Sequence, residues 1–92
     1  MDYEIKLNLK KILKKLSKKD KASYEQVIKK IQEIINSENI EHYKNLRYSL
    51  KEFKRVRIKG PFILIFQYLE SEGKIVFYDF DHHDEVYKKS LD

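Results

Sequence analysis

The hydrophobic pattern is strongest at residues 62–66, where all five positions are apolar. A strand that is apolar on both faces usually lies in the interior of a sheet, covered on both sides. Turn signals flank this run, with Gly60 and Pro61 before it and a polar segment ending in Gly73 after it. We therefore expect Phe62–Leu69 to form the centre of an antiparallel sheet, paired with residues 55–59 and 75–80.

Helical periodicity dominates the N-terminal third, after an alternating segment at residues 3–7 that predicts a half-buried strand. Asn8 is the expected N-cap of a first helix, and Asp20 is the expected N-cap of a second. The buried face of the first helix comprises Leu9, Ile12, Leu13 and Leu16. The second helix has a similar stripe of Tyr24, Val27, Ile28, Ile31, Ile34 and Ile35. A turn at residues 17–19 should join them into an antiparallel hairpin, which the polar residues 36–39 end.

The remaining segments complete a single domain over residues 1–92. Residues 40–51 are predicted to be irregular, and residues 85–89 should form one helical turn. In the irregular segment, Leu46 and Leu50 are expected to pack into the core. Tyr43 and Tyr48 have two interpretations, core packing, which is favoured, and rings exposed for stacking. The order β-α-α-β-β-β predicts an α+β fold, an antiparallel sheet with a helical hairpin packed on one face.

The composition is that of a small folded protein with a basic surface. The 92 residues are 41% hydrophobic, which is enough to bury a core and argues against disorder. Twenty lysines and arginines against fifteen acidic residues give a net charge of +5, which attracts nucleic acids, anionic membranes and acidic proteins alike. Cysteine is absent, so disulfides and thiolate catalysis are excluded. No apolar run approaches the roughly 20 residues of a membrane helix, and we expect a cytoplasmic protein with no membrane contact.

Basic residues are concentrated between residues 44 and 59, where seven of them accompany one acid, Glu52. They are Lys44, Arg47, Lys51, Lys54, Arg55, Arg57 and Lys59. Arg55 and Arg57 are two positions apart on a predicted strand, so their side chains should share one face. This local bias predicts a surface for RNA or phosphate. The lysines on the outer face of the first helix allow two interpretations, a solvated face and a phosphate-tracking surface.

Two segments resemble motifs of the RelE/ParE superfamily of toxins from toxin–antitoxin modules. LKEFKRVRIKGPFILIFQY (residues 50–68) is similar to the family's R-V-R-hydrophobic-G region. DHHDEVYK (residues 81–88) is similar to its ending, a His or Arg followed four residues later by an aromatic. RelE-like members cut mRNA, commonly in the ribosomal A site, whereas ParE-like members inhibit gyrase. The resemblance implies a toxin that acts on mRNA and the ribosome and is neutralised by a RelB-like antitoxin in a hetero-oligomer.

The resemblance also implies a set of site residues. His83 aligns with the position that holds Arg or His in nuclease members, and Tyr87 aligns with the terminal aromatic. Arg55 and Arg57 match basic positions of the strand, and Lys54 lies where RelE has a functional lysine. We therefore predict His83, Tyr87 and Arg57 as catalytic residues. The predicted RNA- or phosphate-binding residues are Arg47, Lys51, Lys54, Arg55 and Lys59.

Ile63 departs from the family pattern, because most members carry at this position an arginine that contacts the scissile phosphate. The ending around His83 favours an mRNA endoribonuclease. Ile63 instead favours a gyrase-inhibiting toxin of ParE type, or an inactive relative that still binds an antitoxin or RNA.

The chemistry expected of a nuclease here needs no metal. The ribose 2′-hydroxyl attacks the phosphate, with a base, an acid and cations in support. Histidine can transfer the protons, arginines can hold phosphate oxygens, and a tyrosine can stack on a base. His42 is a second candidate acid or base. Residues 79–85 crowd carboxylates and histidines together, but neighbours on an extended chain point to opposite faces, so we expect no metal site and no cofactor.

Overall fold

The computed structural model describes residues 1–89 as a four-stranded sheet with a helical hairpin on one face. The strands are β1 (Asp2–Ile5), β2 (Lys54–Lys59), β3 (Phe62–Leu69) and β4 (Lys74–His82). The helices are α1 (Leu7–Lys19), α2 (Lys21–Ile35) and a short α3 (His83–Val86). Single 3-10 turns lie at Ile40–His42, Tyr48–Leu50 and Glu70–Glu72. The predicted α+β order is confirmed, although the C-terminal helical turn begins two residues earlier than expected.

The sheet has the strand order β1-β4-β3-β2. β3 lies between β2 and β4 and pairs antiparallel with both, which confirms the predicted meander. β1 is the exception to the expected antiparallel sheet, because it runs parallel to β4 from Asp2 opposite Lys74 to Ile5 opposite Phe77. Alternation of apolar and polar residues fixes which face of a strand is buried, but it carries no information about the direction of the partner strand.

β3 is buried on both faces, as its continuous apolar run predicts. Leu64 and Phe66 face the helical hairpin, while Ile63 and Ile65 face the opposite side of the sheet. The cluster on the helical side comprises Leu9, Leu13, Val27, Ile31, Ile34, Ile40, Leu64, Phe66, Ile75, Phe77 and Phe80. The cluster on the other side comprises Leu46, Leu50, Ile63, Ile65 and Val86. The second cluster forms because residues 46–50 and α3 cover the sheet face that the hairpin leaves open.

The helical hairpin differs from the prediction at two helix ends. α1 begins at Leu7, so Asn8 lies inside its first turn, and the Asn8 side-chain amide donates a hydrogen bond to Asp79 Oδ1 (3.3 Å) instead of capping the helix. Residues 17–19 belong to α1 and form no turn, since lysine has a good helix propensity. Asp20 alone separates the two helices. Its carboxylate accepts the backbone N–H of Ser23 (3.1 Å), which confirms the predicted N-cap of α2.

Candidate functional site

An open pocket of about 380 Å³ lies on the sheet face opposite the helical hairpin. Its lining combines three arginines, one histidine, two tyrosines and one isoleucine: Arg47, Tyr48, Arg55, Arg57, Ile63, His83 and Tyr87. We call it the arginine pocket. It brings together all three residues predicted as catalytic, and two of the five predicted to bind RNA or phosphate, Arg47 and Arg55.

β2 supplies two of the cations. Arg55 is opposite Ile65 and Arg57 is opposite Ile63 in the β2–β3 ladder, so both arginines stand on the face of the second cluster. Period-two alternation therefore places them side by side, as expected. Guanidinium groups carry a permanent positive charge and donate paired hydrogen bonds, which suits the oxygens of a phosphate.

His83 is held at the edge of the pocket by the backbone. It is the first residue of α3, and its N–H donates a hydrogen bond to the carbonyl of Pro61 (2.9 Å) in the turn between β2 and β3. The imidazole is about half exposed, with Nε2 3.4 Å from Asp84 Oδ1. The ring is thus anchored through its own backbone while its nitrogens stay accessible to a ligand.

Tyr87 and Tyr48 form the aromatic wall of the pocket. Their rings meet edge to face with centroids 6.1 Å apart, and the Tyr87 hydroxyl accepts the backbone N–H of Arg47 (3.1 Å). Tyr48 is 79% exposed and adopts a left-handed backbone conformation with φ +59°. Of the two alternatives for these tyrosines, Tyr48 therefore has the exposed ring, not the favoured packed one, whereas Tyr43 packs edge to face on Phe66. A left-handed tyrosine is uncommon, and no residue pattern in the sequence signals it.

Lys54, predicted to bind RNA or phosphate, lies outside the arginine pocket. It alternates with Arg55 and so faces the helical side of the sheet, where it is only 7% exposed. Its ammonium donates hydrogen bonds to the Tyr43 carbonyl (3.1 Å) and to Asn45 Oδ1 (3.0 Å). These bonds tie β2 to the preceding segment, and they leave the ammonium little access to RNA.

Lys59 and Lys51 are also absent from the lining of the arginine pocket. Simple alternation would put Lys59 on the same face as Arg57, but the register between these residues shifts at an irregularity in β2. The Lys59 ammonium instead lies 3.4 Å from Ser23 Oγ on the helical side, beside a separate pocket of about 360 Å³. Lys51 is exposed beyond the 3-10 turn Tyr48–Leu50. A strand irregularity of this kind changes the face of every residue after it.

A buried carboxylate network fixes the C-terminal segment against the sheet. Asp79 is fully buried and accepts hydrogen bonds from Asn8 and from the Lys89 ammonium (2.8 Å), which also lies 2.5 Å from Asp81. Burial raises the pKa of Asp81, but hydrogen bonds from Lys89 and from the His82 amide outweigh it and hold that pKa below its usual range. Burial lowers the pKa of Lys89, and its bonds to the two aspartates outweigh that effect and raise it. Through Lys89, the network holds the segment that follows α3 against β4. It thereby helps to position the residues of the arginine pocket.

In Asp81→Asn, the free energy of unfolding is expected to fall less than in wild type as the pH is lowered into the acidic range. Because the folded pKa of Asp81 is lowered, its ionised form contributes stability above the unfolded value of about 3.9, and this contribution is lost as the pH falls through the folded value. Wild type should therefore lose more free energy of unfolding than Asp81→Asn between about pH 5 and about pH 2, measured by urea denaturation. Asp84→Asn, which removes an exposed aspartate, is the control and should retain the wild-type slope. Equal slopes for wild type and Asp81→Asn would contradict the prediction.

The arginine pocket combines guanidinium groups suited to phosphate oxygens with an imidazole suited to proton transfer. Its cations point at one surface, its histidine stands at the rim, and its aromatic wall offers a ring for stacking on a base. Within residues 1–89, no helix combines the length and apolar character that crossing a membrane requires.

Comparison with known proteins identifies relatives along nearly the whole chain, although no protein-family model matches it. A protein of Methanocaldococcus jannaschii named "Putative toxin RelE4" is 49% identical over 89 residues, covering 95% of this chain and 93% of that protein. A protein of Methanosarcina mazei is 37% identical over 84 residues, covering 91% of this chain and 95% of that protein.

Solved toxin structures share the fold at low sequence identity. The YoeB/ParE toxin from Agrobacterium tumefaciens superposes with a TM-score of 0.73 at 11% identity, over 90% of this chain and 99% of that chain. A chain of the RelBE2 toxin–antitoxin complex from Mycobacterium tuberculosis superposes with a TM-score of 0.61 at 18% identity, over 88% of each chain. Together with the relative at 49% identity, these matches show that the chain belongs to the RelE/ParE superfamily, the toxins of toxin–antitoxin modules.

Proposed function

We propose that this toxin is a metal-independent endoribonuclease that cuts mRNA. The observation that carries the proposal is the arginine pocket, in which three arginines, a histidine and two tyrosines meet on one exposed face. Phosphate binding, proton transfer and base stacking are the three functions that such an enzyme needs, and each has a side chain of suitable chemistry there.

The proposed reaction is attack of a ribose 2′-hydroxyl on the adjacent phosphorus. The hydroxyl loses its proton to a base, the bond to the 5′-oxygen breaks, and an acid protonates that oxygen, which leaves a 2′,3′-cyclic phosphate and a 5′-hydroxyl. Arg55 and Arg57 hold the phosphate and stabilise the charge that develops on its oxygens. His83 performs one of the two proton transfers, since imidazole can act as acid or base near neutral pH.

The tyrosines are proposed to orient the RNA rather than to react with it. The Tyr48 ring is exposed at the mouth of the pocket, and Tyr87 braces it edge to face. Stacking of one base on such a ring contributes about 1–3 kcal/mol and splays a single strand open for cleavage. The proposed substrate is single-stranded mRNA, including mRNA presented by a ribosome, because its unpaired bases can stack on this aromatic wall.

A RelB-like antitoxin is the proposed main partner, in a toxin–antitoxin hetero-oligomer located in the cytoplasm. The support is the RelE name of the relative at 49% identity, and the toxin–antitoxin complex among the structures that share the fold. The pocket itself gives an acidic, partly apolar partner both cations and aromatic rings to bind.

Ile63 supports a second candidate, a non-nucleolytic toxin that inhibits gyrase or a relative that has lost cleavage. Its side chain is almost fully buried in the second cluster beneath the pocket, so this position contributes no cation to the phosphate. Any phosphate clamp must then come from the arginines of β2 and from Arg47. The same toxin surface could bind a protein target without cutting RNA.

One experiment separates these functions. The toxin is expressed from an inducible promoter, cellular RNA 5′ ends are mapped, and purified toxin is tested on ribosome-bound RNA, free RNA and gyrase-driven DNA supercoiling. New 5′-hydroxyl ends within coding sequences support the nuclease. Inhibition of supercoiling with intact RNA supports the second candidate and overturns the first.

Arg57→Ala is expected to lower both RNA affinity and cleavage rate, each by about 10–100-fold, since a charged hydrogen bond to phosphate contributes about 1.5–3 kcal/mol. The contact holds the phosphate in the bound state and strengthens as charge develops on its oxygens, so both quantities fall. The slope of log affinity against log salt should decrease by about one. These quantities are measured by filter binding at several salt concentrations and by single-turnover cleavage.

Lys59→Ala is the matched control for that substitution. It removes one positive charge only two positions along the chain, but on the helical side of the sheet. Affinity and rate should stay close to those of wild type. Equal losses in the two variants would show that RNA responds to overall charge and not to the arginine pocket.

A further inference from the structure

The junction between β4 and α3 brings two histidines and an aspartate together. On a continuous strand, the side chains of His82 and His83 would point to opposite faces. The chain turns here instead, because His82 ends β4 with an extended backbone and His83 begins α3. The two imidazole centroids are consequently only 4.9 Å apart. The expectation that neighbouring residues could not share an ion does not hold at this turn.

Asp84 completes a group with the geometry of a metal site. One ring nitrogen of each histidine and one carboxylate oxygen of Asp84 all lie within 4.8 Å of one another. His83 Nε2 is 3.4 Å from one Asp84 oxygen, and His82 Nδ1 is 3.7 Å from the other. A tetrahedral ion with bonds near 2.0–2.1 Å keeps its ligand atoms about 3.3 Å apart. Rotations of the exposed His83 and Asp84 side chains have to supply the difference, and a metal ion on His82 Nδ1 replaces the Asp84 backbone N–H that this nitrogen accepts at 3.1 Å.

The charges around this group leave the Asp84 carboxylate available. Lys89 forms an ion pair with Asp81, and the Lys88 ammonium lies 3.4 Å from the Glu85 carboxylate. Among the ion pairs of residues 1–89, Asp84 has only the two histidines as partners. Two imidazoles and one carboxylate favour a borderline divalent ion such as Zn²⁺, Ni²⁺ or Cu²⁺, whereas Mg²⁺ prefers oxygen ligands alone.

We propose that His82, His83 and Asp84 bind a divalent transition-metal ion, and that the bound ion switches off cleavage. Binding rests on the geometry alone, while the inhibitory effect rests on the proposed nuclease function. The ion takes up the nitrogen lone pair of His83, which proton transfer to or from RNA requires. The site therefore couples the toxin's activity to the availability of a transition metal.

Binding is tested first, without reference to activity. Zn²⁺, Ni²⁺ and Mg²⁺ are titrated by calorimetry into wild type, His82→Ala, Asp84→Asn and His42→Ala. We expect one Zn²⁺ or Ni²⁺ per wild-type chain, no Mg²⁺, and at least about tenfold weaker binding in the first two variants. His42→Ala, which removes the remaining histidine, should bind as wild type does. Wild type that binds no Zn²⁺ or Ni²⁺, or affinity that depends on His42 alone, would overturn the site.

The NMR signals of the histidine rings provide a second test of metal binding. This test uses wild type, so it does not depend on whether a variant folds. Paramagnetic Ni²⁺ added to wild type should broaden the imidazole signals of His82 and His83 and leave those of His42 sharp. Broadening confined to His42 would contradict the proposal. Because Asp84 is exposed, Asp84→Asn also keeps the test valid if His82→Ala folds poorly.

Inhibition is tested on the active toxin. Zn²⁺ should suppress single-turnover cleavage by wild type, a chelator should restore it, and His82→Ala, with its rate compared to its own metal-free rate, should lose at least about tenfold in Zn²⁺ sensitivity. Stimulation by Zn²⁺, or equal inhibition of both proteins, would overturn the switch. A wild type that binds Zn²⁺ but cuts no RNA would instead contradict the nuclease function and leave the metal site standing.

Discussion

His83→Ala is expected to lower the rate of RNA cleavage by about 10²–10⁴-fold, the usual contribution of a general acid or base. The substitution should leave the fold intact, because the imidazole is half exposed and the backbone bond to Pro61 does not need it. RNA affinity should fall little, since the arginines proposed to hold the phosphate remain. The measurements are single-turnover cleavage and RNA binding by wild type and variant, with circular dichroism to check folding.

His42→Ala is the matched control for this experiment. His42 is an exposed histidine in the 3-10 turn Ile40–His42 and does not line the arginine pocket. It should cut RNA at the wild-type rate. If His83→Ala cuts as fast as wild type, the proton transfer takes place elsewhere and His42 becomes the next candidate. If wild type cuts neither ribosome-bound nor free RNA, the nuclease function is excluded.

Phe66→Ala should reduce the free energy of unfolding by about 3–5 kcal/mol, a large part of the stability of a small domain. Phe66 is fully buried in β3, with its ring 5.5 Å from the Tyr43 ring and 5.9 Å from the Phe77 ring. Truncation therefore leaves a cavity where the helical hairpin meets the sheet. Urea denaturation of the purified variant measures the loss.

Phe62→Ala makes the same chemical change four residues earlier on the same strand. Phe62 is 40% exposed, so its truncation removes less buried surface and should cost about 1–2 kcal/mol. Equal losses in the two variants would contradict the placement of Phe66 at the centre of the core.

The fold was predictable where one local pattern sufficed. The apolar run of β3 predicted a central strand covered on both faces, and Asp20 predicted the start of α2. The direction of β1 and the first residue of α1 were not predictable, because both depend on contacts with β4 that lie far away in sequence. Asn8 illustrates this dependence, because its side-chain amide donates a hydrogen bond to Asp79 of β4 and does not cap the helix.

The site was predictable where strand alternation or the family resemblance applied. Alternation placed Arg55 and Arg57 together, and the resemblance singled out His83 and Tyr87, which the structure brings to the same pocket. Lys59, predicted to bind RNA or phosphate, lies outside the arginine pocket because a register shift in β2 turns it to the other face. Such a shift depends on how two strands fit together, and residue type alone does not encode it.

The parallel pairing of β1 with β4 has a consequence for the order in which the toxin becomes active during its own synthesis. Glu4 of β1 accepts a hydrogen bond from Lys74 of β4, 70 positions further along the chain, so the first strand leaves the ribosome long before its partner exists. Contacts of such separation form late, because a long loop must close first. His83 follows β4 directly and emerges later still. A nascent chain from which β4 and α3 have not yet emerged therefore carries an unfinished sheet and no assembled pocket.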